Sequence, residues 1–454
     1  MQFELTKDYL ASLKEAIESS NKEFLEAELA KLHAADIAEI LDELSTKKAK
    51  HLFELIEEEK SADVLVELED DVREEILKVL SSEEIADQVI DNIDSDDAAD
   101  VIAELPDDIQ VQVIAKIEEE DPEQASDIVD LLNYDEDTAG GLMAKEMVVV
   151  NQSWTITNCL REMRKQAEEL DDVYAVYVVD DDYKLKGLLS LSKMLVAPAR
   201  TMIADIYDEE VHYVTTDEDE EEVANIMDKY DLVVLPVVNE DRVLQGRITI
   251  DDVVDVIKEE AEKDYQMASG ITEDVESSDK IWILSRARLP WLLIGLVGGV
   301  FVAQVIGMYE EDIQIYPEMA FFIPLIAAMG GNVGVQSSAL IVQGLANNTL
   351  GMENMTTKLL KEFGVALING VICSVLILGY NVFFSDSMAL SITVSVALLS
   401  VIIIAGLFGT LVPLLLNRYK IDPALATGPF ITTLNDIFGL IVYFIIGRYM
   451  YLNF

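Results

Sequence analysis

Five long apolar stretches fill the last third of the sequence and constrain its fold more than any other feature. A helix needs about 20 residues to cross about 30 Å of hydrocarbon, and each stretch reaches that length. Asp436 is the one acidic or basic residue inside them. We therefore predict a domain of five transmembrane helices over residues 285–454. The stretches cover residues 289–309, 319–351, 363–384, 388–417 and 423–447.

The basic residues beside these stretches predict their orientation. Lysine and arginine collect in cytosolic loops, and six of the seven bases after residue 280 fall on one side of a five-helix arrangement. The N-terminal region lies on that side and begins without the basic and apolar segments of a secretory signal. We therefore predict a multi-pass protein of the cytoplasmic (inner) membrane, with a cytosolic N-terminus and an external C-terminus. The six bases are Arg286, Arg288, Lys358, Lys361, Arg418 and Lys420, with Arg448 opposite.

The charge of the chain is concentrated ahead of the membrane stretches. Residues 281–454 contain nine acids and seven bases, so nearly all of the net charge of −54 lies in residues 1–280. Such a polyanion repels nucleic acid and concentrates cations. The sequence also contains no HExxH motif, nucleophile elbow or phosphate-cradling loop. We therefore predict no nucleic-acid partner and no enzymatic activity.

Residues 1–135 carry a repeated phrase of alanine, aspartate and an apolar residue. Its aspartates are Asp36, Asp63, Asp100 and, in a looser copy, Asp127, and they are spaced by 27, 37 and 27 residues. The surrounding pattern is typical of short amphipathic helices. An irregular repeat of this length indicates stacked helix pairs, and we predict an all-α helical-repeat domain.

A second repeat, over residues 136–250, has a constant offset. Asp180 and Asn239 stand 59 residues apart, as do Gly187 and Gly246. Each copy reads as a strand, a turn, a strand containing glycine, and a helix. Tandem α/β units of this form resemble a pair of cystathionine-β-synthase (CBS) domains. We interpret residues 251–284 as an acidic connecting (plug) helix that couples this pair to the membrane domain, with a passive linker as the alternative.

Asp436 is the sharpest single feature of the membrane stretches. It lies 13 residues into the last one, which is about 20 Å at about 1.5 Å per residue. A carboxylate at this depth costs at least about 2.5 kcal/mol, so it requires a partner or a wet path. Thr432 shares its helical face and Gly428 lies close by. We predict that Asp436 faces an ion path; a structural aspartate hydrogen-bonded between helices is the alternative.

The second stretch adds two amides to this prediction. Asn332 and Gln336 are four residues apart and therefore lie on one helical face. The glycines around them permit close helix approach or exposed carbonyl oxygens. We predict that both amides line the pore, and plain glycine-mediated helix packing is the competing interpretation.

The chemistry of these groups favours a hard cation. Oxygen ligands with one carboxylate, and no cysteine or histidine beside them, do not suit zinc or copper. Magnesium keeps several of its waters and binds through one or two carboxylates, which a two-fold homodimer would supply. These properties fit magnesium (Mg²⁺) and do not exclude calcium or manganese, so we predict a path for a hard divalent cation in a protein embedded in membrane lipid. The alternative is a secondary exchanger for another divalent cation such as calcium, cobalt or manganese.

Three phrases then carry a family resemblance. They are Gly-Gly-Asn-Val-Gly-Val-Gln-Ser-Ser at 330–338, Asp-Pro-Ala-Leu at 422–425 and Thr-Leu-Asn-Asp at 433–436. With the order of domains, they make the chain resemble the MgtE family of magnesium channels along essentially its whole length. The resemblance implies a homodimer with the pore on its axis. It also implies a cytosolic region that binds magnesium when the ion is plentiful and holds the gate shut.

The resemblance further implies individual residues. Asp436 is implied as the pore ligand of hydrated magnesium, and Thr432 and Gly428 are implied to line the path below it. The family pattern can carry asparagine where Gly428 stands. Lys263 stands where an acid is expected. Ala175, Ser192 and Lys193 replace the residues that hold ATP in some relatives, so ATP binding is not expected. The implied magnesium sensors are Asp96, Asp100, Asp219, Glu221, Asp231, Asp252, Asp255, Glu260 and Asp264.

Overall fold

The computed structural model of the chain divides into two compact units, Met1–Ile257 and Lys258–Phe454. It describes residues 3–167, 170, 173–272, 275, 280–346, 354–384, 387–426 and 428–453.

The described residues of the first unit open with ten short α-helices, together with a π-helix (Ile85–Val89) and a 3₁₀ helix (Ile90–Asn92) between α7 and α8, which confirms the prediction of an all-α repeat domain. The apolar residue after each repeated aspartate, namely Ile37, Val64, Val101 or Ile128, is buried. The repeat is therefore the sequence signature of one shared hydrophobic core. The helices are α1 (Lys7–Glu18), α2 (Lys22–Leu29), α3 (Ala34–Asp42), α4 (Thr46–Phe53), α5 (Glu58–Val66), α6 (Asp70–Leu77), α7 (Ser82–Glu84), α8 (Ser95–Ala103), α9 (Asp107–Glu120) and α10 (Pro122–Leu131).

Two three-stranded α/β units follow and confirm the second repeat. In each sheet the first strand pairs parallel to the second, and the third pairs antiparallel to the second. The first α/β unit contains β1 (Val148–Asn151), α11 (Ile156–Gln166), β2 (Val176–Val179), β3 (Leu185–Leu189) and α12 (Leu191–Val196). The second contains β4 (Val214–Thr215), α13 (Glu220–Tyr230), β5 (Val234–Val238), β6 (Leu244–Thr249) and α14 (Ile250–Ala268).

The residues that defined the offset occupy equivalent positions. Asp180 accepts hydrogen bonds from two backbone N–H groups of the β2–β3 turn, and Asn239 does the same in the β5–β6 turn, all at 3.0 Å. Gly187 and Gly246 each sit where a neighbouring carbonyl approaches closely. A Cβ at Gly187 would lie 1.9 Å from the carbonyl oxygen of Asp208. Turn geometry and backbone approach therefore preserve the repeat.

The connecting helix is shorter than predicted. It ends at Ala268 rather than continuing to residue 284, and the next helix begins at Ile281. Gly270, just beyond its end, has a φ of +82°, a left-handed conformation that terminates helices. Residues 273–274 and 276–279 of the predicted helix lie outside the described residues.

Within its described residues, the second unit contains five helices long and apolar enough to cross a membrane, as predicted. They are α15 (Ile281–Met308), α17 (Ile323–Ala346), α18 (Met355–Phe384), α19 (Met388–Arg418) and α20 (Gly428–Asn453), with the short α16 (Glu310–Ile315) after α15. Helix α19 contacts α17, α18 and α20 and, among the described residues, supplies more of the buried apolar core of this unit than any other helix. The predicted end of the second stretch, residues 347–351, lies outside the described residues.

Candidate functional site

Helices α17 and α20 pack closely because glycines of α17 face α20. A Cβ at Gly331 would lie 3.1 Å from Cγ2 of Thr432, and one at Gly334 would lie 1.9 Å from Nδ2 of Asn435. Asn435 is 2 % exposed, and neither polar atom of its amide has a hydrogen-bond partner among the described residues. Small residues of this kind let helix backbones approach in a membrane. The glycine stripe thus serves helix packing, one of the two interpretations considered for it.

The same packing forms a cavity with a volume of about 400 Å³. Its polar lining is Asn332, Gln336, Thr432 and Asp436, and the remaining lining residues are small or apolar. Four residues predicted to line the pore are therefore brought together by the fold. The Thr432 hydroxyl donates to the carbonyl oxygen of Gly428 at 3.0 Å, so its own oxygen keeps its lone pairs. Carboxylate, amide and hydroxyl oxygens are suitable ligands for a hard cation or its waters.

Gly428 is not among the described residues that line this cavity. It has a φ of +54°, and a Cβ there would lie 2.6 Å from the carbonyl oxygen of Ala268 at the end of α14. A Cβ at Gly270 would likewise lie 3.0 Å from Cγ of Pro429. The start of α20 is therefore packed against the end of the connecting helix, and glycine fits there for backbone reasons.

A pair of acids lies near this contact. Burial raises the pKa of Asp264, and the negative charge of Asp422 raises it further. Asp422 was not predicted as a site residue, although it begins the Asp-Pro-Ala-Leu phrase. Lys263 forms an ion pair with Glu260 at 2.6 Å, which partly neutralises one predicted sensor. Two close carboxylates favour a bridging cation over mutual repulsion.

In the first unit, α8 and α14 bring a second group of acids together. Burial raises the pKa of Asp97 to about 7, with the charge of Asp252 as the next cause. Burial also raises the pKa of Asp96 well above its usual range and raises that of Asp252. Asp96 and Asp252 were predicted as sensors, and so was Asp100, which is exposed one turn further along α8. Asp97 was missed. We call Asp96, Asp97, Asp100 and Asp252 the α8–α14 cluster.

Three carboxylates at the edge of this cluster have the spacing of a metal site. Oxygens of Asp94, Asp96 and Glu146 lie within 4.8 Å of one another. Arg247, 7 % exposed, contacts Asp94 at 2.8 Å, and the Ser95 hydroxyl donates to Glu146 at 2.8 Å. Asp94 and Glu146 were not predicted, because they are distant in sequence and neither belongs to one of the repeated phrases. The arginine balances part of the negative charge here.

The remaining predicted sensors are separate from that cluster. Asp219 is the N-cap of α13, accepting from the N–H of Glu221 at 3.1 Å, and Asp231 is its C-cap with a φ of +52°. The two caps are about 18 Å apart along an 11-residue helix. Asp255 is exposed on α14. Capping accounts for Asp219 and Asp231 structurally, and their role as sensors stays a prediction.

The raised pKa of Asp97 predicts a pH dependence of stability. Since an unfolded aspartate has a pKa of about 3.9, the folded, metal-free region alone binds this proton near pH 6, and stability is lowest above pH 7. We expect the free energy of unfolding to rise by about 1 kcal/mol from pH 8 to pH 6. Thermal unfolding of the full chain with a chelator measures this. Asp97→Asn should reduce the rise, to which Asp96 and Asp252 also contribute. Asp108→Asn, at an exposed position of α9, should keep the full rise; equal slopes would contradict the assignment.

The chain combines five helices of membrane-spanning length, an oxygen-lined cavity between two of them, and acidic α and α/β domains. This combination is typical of a multi-pass cation transporter. The family model described as a divalent cation transporter, MgtE, matches residues 323–446. The MgtE intracellular N domain matches residues 32–137, and the CBS domain matches residues 139–200 and 203–259. The chain belongs to the MgtE family, which confirms the resemblance.

Individual relatives extend this match over nearly the whole chain. The magnesium transporter MgtE of Thermus thermophilus is 34% identical over 453 residues, covering 96% of this chain and 97% of the relative. The magnesium transporter MgtE of Bacillus subtilis is 32% identical over 314 residues, covering 69% and 70%. A crystal structure of the cytosolic domain of the Mg²⁺ channel MgtE in complex with ATP is 36% identical, with a TM-score of 0.50, and covers 54% of this chain and 99% of that one.

Proposed function

We propose that the chain is a magnesium-selective channel that carries Mg²⁺ into the cell and closes when magnesium binds its acidic cytosolic domains. The cavity built around Asp436 is the observation that carries this proposal. Two relatives named magnesium transporters, each more than 30% identical, support the choice of ion. The orientation follows the basic residues of the sequence, with the N-terminal domains in the cytosol.

The size of the cavity suits a hydrated ion. Six waters occupy roughly 180 Å³ at about 30 Å³ each, which fits within about 400 Å³. Magnesium dehydrates reluctantly, so ligands that bind its waters can hold it without stripping them. The lining offers one carboxylate per chain, and a two-fold homodimer brings two carboxylates to its axis.

The α8–α14 cluster and its neighbours provide the regulatory ion sites in this proposal. Ionised acids in this cluster repel one another, and the raised pKa values of Asp96, Asp97 and Asp252 reflect the cost of charging them. A divalent ion that binds the compact arrangement shifts the population toward it. High cytosolic magnesium therefore favours closure, and low magnesium favours opening.

Flux measurements separate this function from the exchanger alternative. Full-length protein in liposomes should pass Mg²⁺ along its own gradient with no counter-ion gradient present. Growth rescue of a magnesium-uptake-deficient bacterium should accompany that flux. Transport of calcium, cobalt or manganese that requires an opposing sodium or proton gradient would instead support the exchanger.

Magnesium should protect the cytosolic region from proteolysis. We expect cleavage within residues 134–147 and 251–279 to slow by at least about tenfold at ~10 mM magnesium, because ions bound to the compact arrangement oppose its opening. Limited proteolysis of the full chain measures this. The control is sodium chloride at ~30 mM, which matches the ionic strength. Equal protection by both salts would reduce the effect to charge screening.

Nucleotide is left out of the proposed mechanism. The related cytosolic domain is described in complex with ATP, so ATP is the ligand to test at the CBS pair. Here Lys193 forms an ion pair with Asp208, and the Ser192 hydroxyl lies 2.7 Å from that of Ser190. We propose that these contacts occupy the polar groups that would otherwise hold nucleotide, and calorimetric titration of the full chain with ATP tests this.

A further inference from the structure

A second cavity, of about 520 Å³, lies between the latter half of α14 and the start of α15. Lys258, Glu262 and Tyr265 of α14 form one side, and Leu284 and Arg288 of α15 form the other. The lining therefore combines two cations and one acid with apolar surface. It has no role in the function proposed above.

Hydrogen bonds connect described residues between these two helices to the helices themselves. The N–H and the hydroxyl of Thr272 both donate to the carbonyl oxygen of Ala287, at 3.0 and 2.9 Å. The side chain of Gln266 both donates to and accepts from the backbone of Val275, at 3.2 Å in each direction. Hydrogen-bonded residues of the chain therefore help to bound the cavity.

The cavity lies at the level expected for lipid head groups. Arg288 directly precedes the first predicted membrane stretch, which begins at residue 289. Ile281 and Trp282, at the start of α15, are 85 % and 76 % exposed. Tryptophan and snorkelling basic residues are typical of the membrane interface. An apolar cavity with cations at this level fits an amphiphile better than a water-soluble ligand.

The charge of the cavity selects the kind of amphiphile. Among the described residues, neither Lys258 nor Arg288 forms an ion pair with an acid. Two such cations are unusual in a chain with a net charge of −54. Ammonium and guanidinium groups are the standard partners of phosphate oxygens, and basic pockets on the cytosolic side of membrane helices bind anionic head groups.

We propose that this cavity binds an anionic phospholipid of the cytosolic leaflet. Lys258 and Arg288 contact the phosphate, and Leu284 with the ring of Tyr265 contacts the glycerol and the upper acyl chain. The choice of leaflet rests on the orientation in the proposed function. The lipid links the connecting helix to the first membrane helix, so leaflet composition acts on the segment between the two.

Fluorescence quenching by brominated lipid tests the site. Full-length protein is reconstituted with brominated phosphatidylglycerol competing against phosphatidylcholine, and the exposed Trp282 is the reporter. We expect the wild type to prefer phosphatidylglycerol. Lys258→Gln with Arg288→Gln should weaken that preference roughly thirty-fold, since each base near an anionic surface contributes a factor of about five. The control pair Lys358→Gln and Lys361→Gln, two other bases on the predicted cytosolic side, should keep it.

Each other outcome overturns the proposal. A wild type that does not prefer phosphatidylglycerol would show that the cavity is not an anionic-lipid site. Equal losses of the preference in both double variants would indicate a diffuse attraction between basic residues and the membrane surface. Displacement by millimolar glycerol phosphate indicates a soluble phosphate ligand instead. If the glutamine pair misfolds, Lys258→Arg with Arg288→Lys should fold and keep the preference, and losing it would also overturn the proposal. Because no magnesium flux is measured, failure here is distinguishable from failure of the proposed channel.

Discussion

Replacing Asp436 with asparagine is expected to reduce magnesium flux at least about 100-fold while leaving a folded protein. Asparagine keeps the shape and removes the charge that lines the cavity. A divalent ion about 5 Å from a carboxylate, at an effective dielectric constant of about 50, gains nearly 3 kcal/mol. Losing that attraction from both subunits of the proposed homodimer should remove the ion from its site.

Liposome flux with matched protein amounts measures the effect. The matched control is Glu362→Gln. Glu362 accepts a hydrogen bond from the Ser337 hydroxyl at 2.6 Å and is not among the described residues that line the cavity. Glutamine keeps that acceptor, so flux should change less than about threefold. If Asp436→Asn is expressed normally and retains magnesium flux, the assignment of Asp436 as the pore ligand is wrong.

Neutralising the α8–α14 cluster, by changing all four aspartates to asparagine, is expected to leave the channel open at about 10 mM cytosolic magnesium. Two effects of this change oppose each other. Removing like charges relieves repulsion and by itself favours the compact, closed arrangement. Removing the carboxylates also deletes the ligands whose occupied form makes closure depend on magnesium.

We expect the loss of ligands to dominate in ion-rich medium. Bound magnesium acts only through its differential affinity for the two arrangements, and the amides provide almost none. Single substitutions should do little, because the remaining acids, including Asp94 and Glu146, still hold the ion.

Patch recordings across a magnesium series decide between these effects. The control variant removes four exposed acids of α9 and therefore the same total charge, through Asp107→Asn, Asp108→Asn, Glu118→Gln and Glu119→Gln. It should keep the wild-type midpoint within about threefold, because exposed charges are screened by salt. A cluster variant that stays closed at low magnesium would mean that repulsion, rather than ion binding, controls the gate.

Much of this architecture could be read from the sequence because its signals are local or periodic. Hydrophobic length alone marks the five membrane helices. The constant offset of Gly187 and Gly246 marks the paired sheets, since both glycines meet a backbone carbonyl. The polar lining of the cavity could be predicted from the sequence because Asn332 and Gln336 share one helical face and Thr432 and Asp436 share another.

Other features depend on contacts that no local pattern encodes. Asp94, Glu146 and Arg247 meet only after the helical domain and the second α/β unit have packed. Gly428 was assigned to the pore by the family resemblance, but its backbone conformation and the approach of Ala268 decide its environment. The end of the connecting helix likewise depends on Gly270 adopting a positive φ, whereas the surrounding acidic periodicity continues past it.

Asn435 and Asp436 are consecutive residues of one rigid helix, and that adjacency has a mechanical consequence. Their side chains project about 100° apart, one into the glycine contact of α17 and the other into the cavity. Axial rotation of α20 turns both side chains by the same angle. Such a rotation therefore cannot move Asp436 out of the cavity without also moving the Asn435 amide past Gly334. The packing of Asn435 against Gly334 therefore sets the direction in which the Asp436 side chain leaves the helix, and so its position in the cavity.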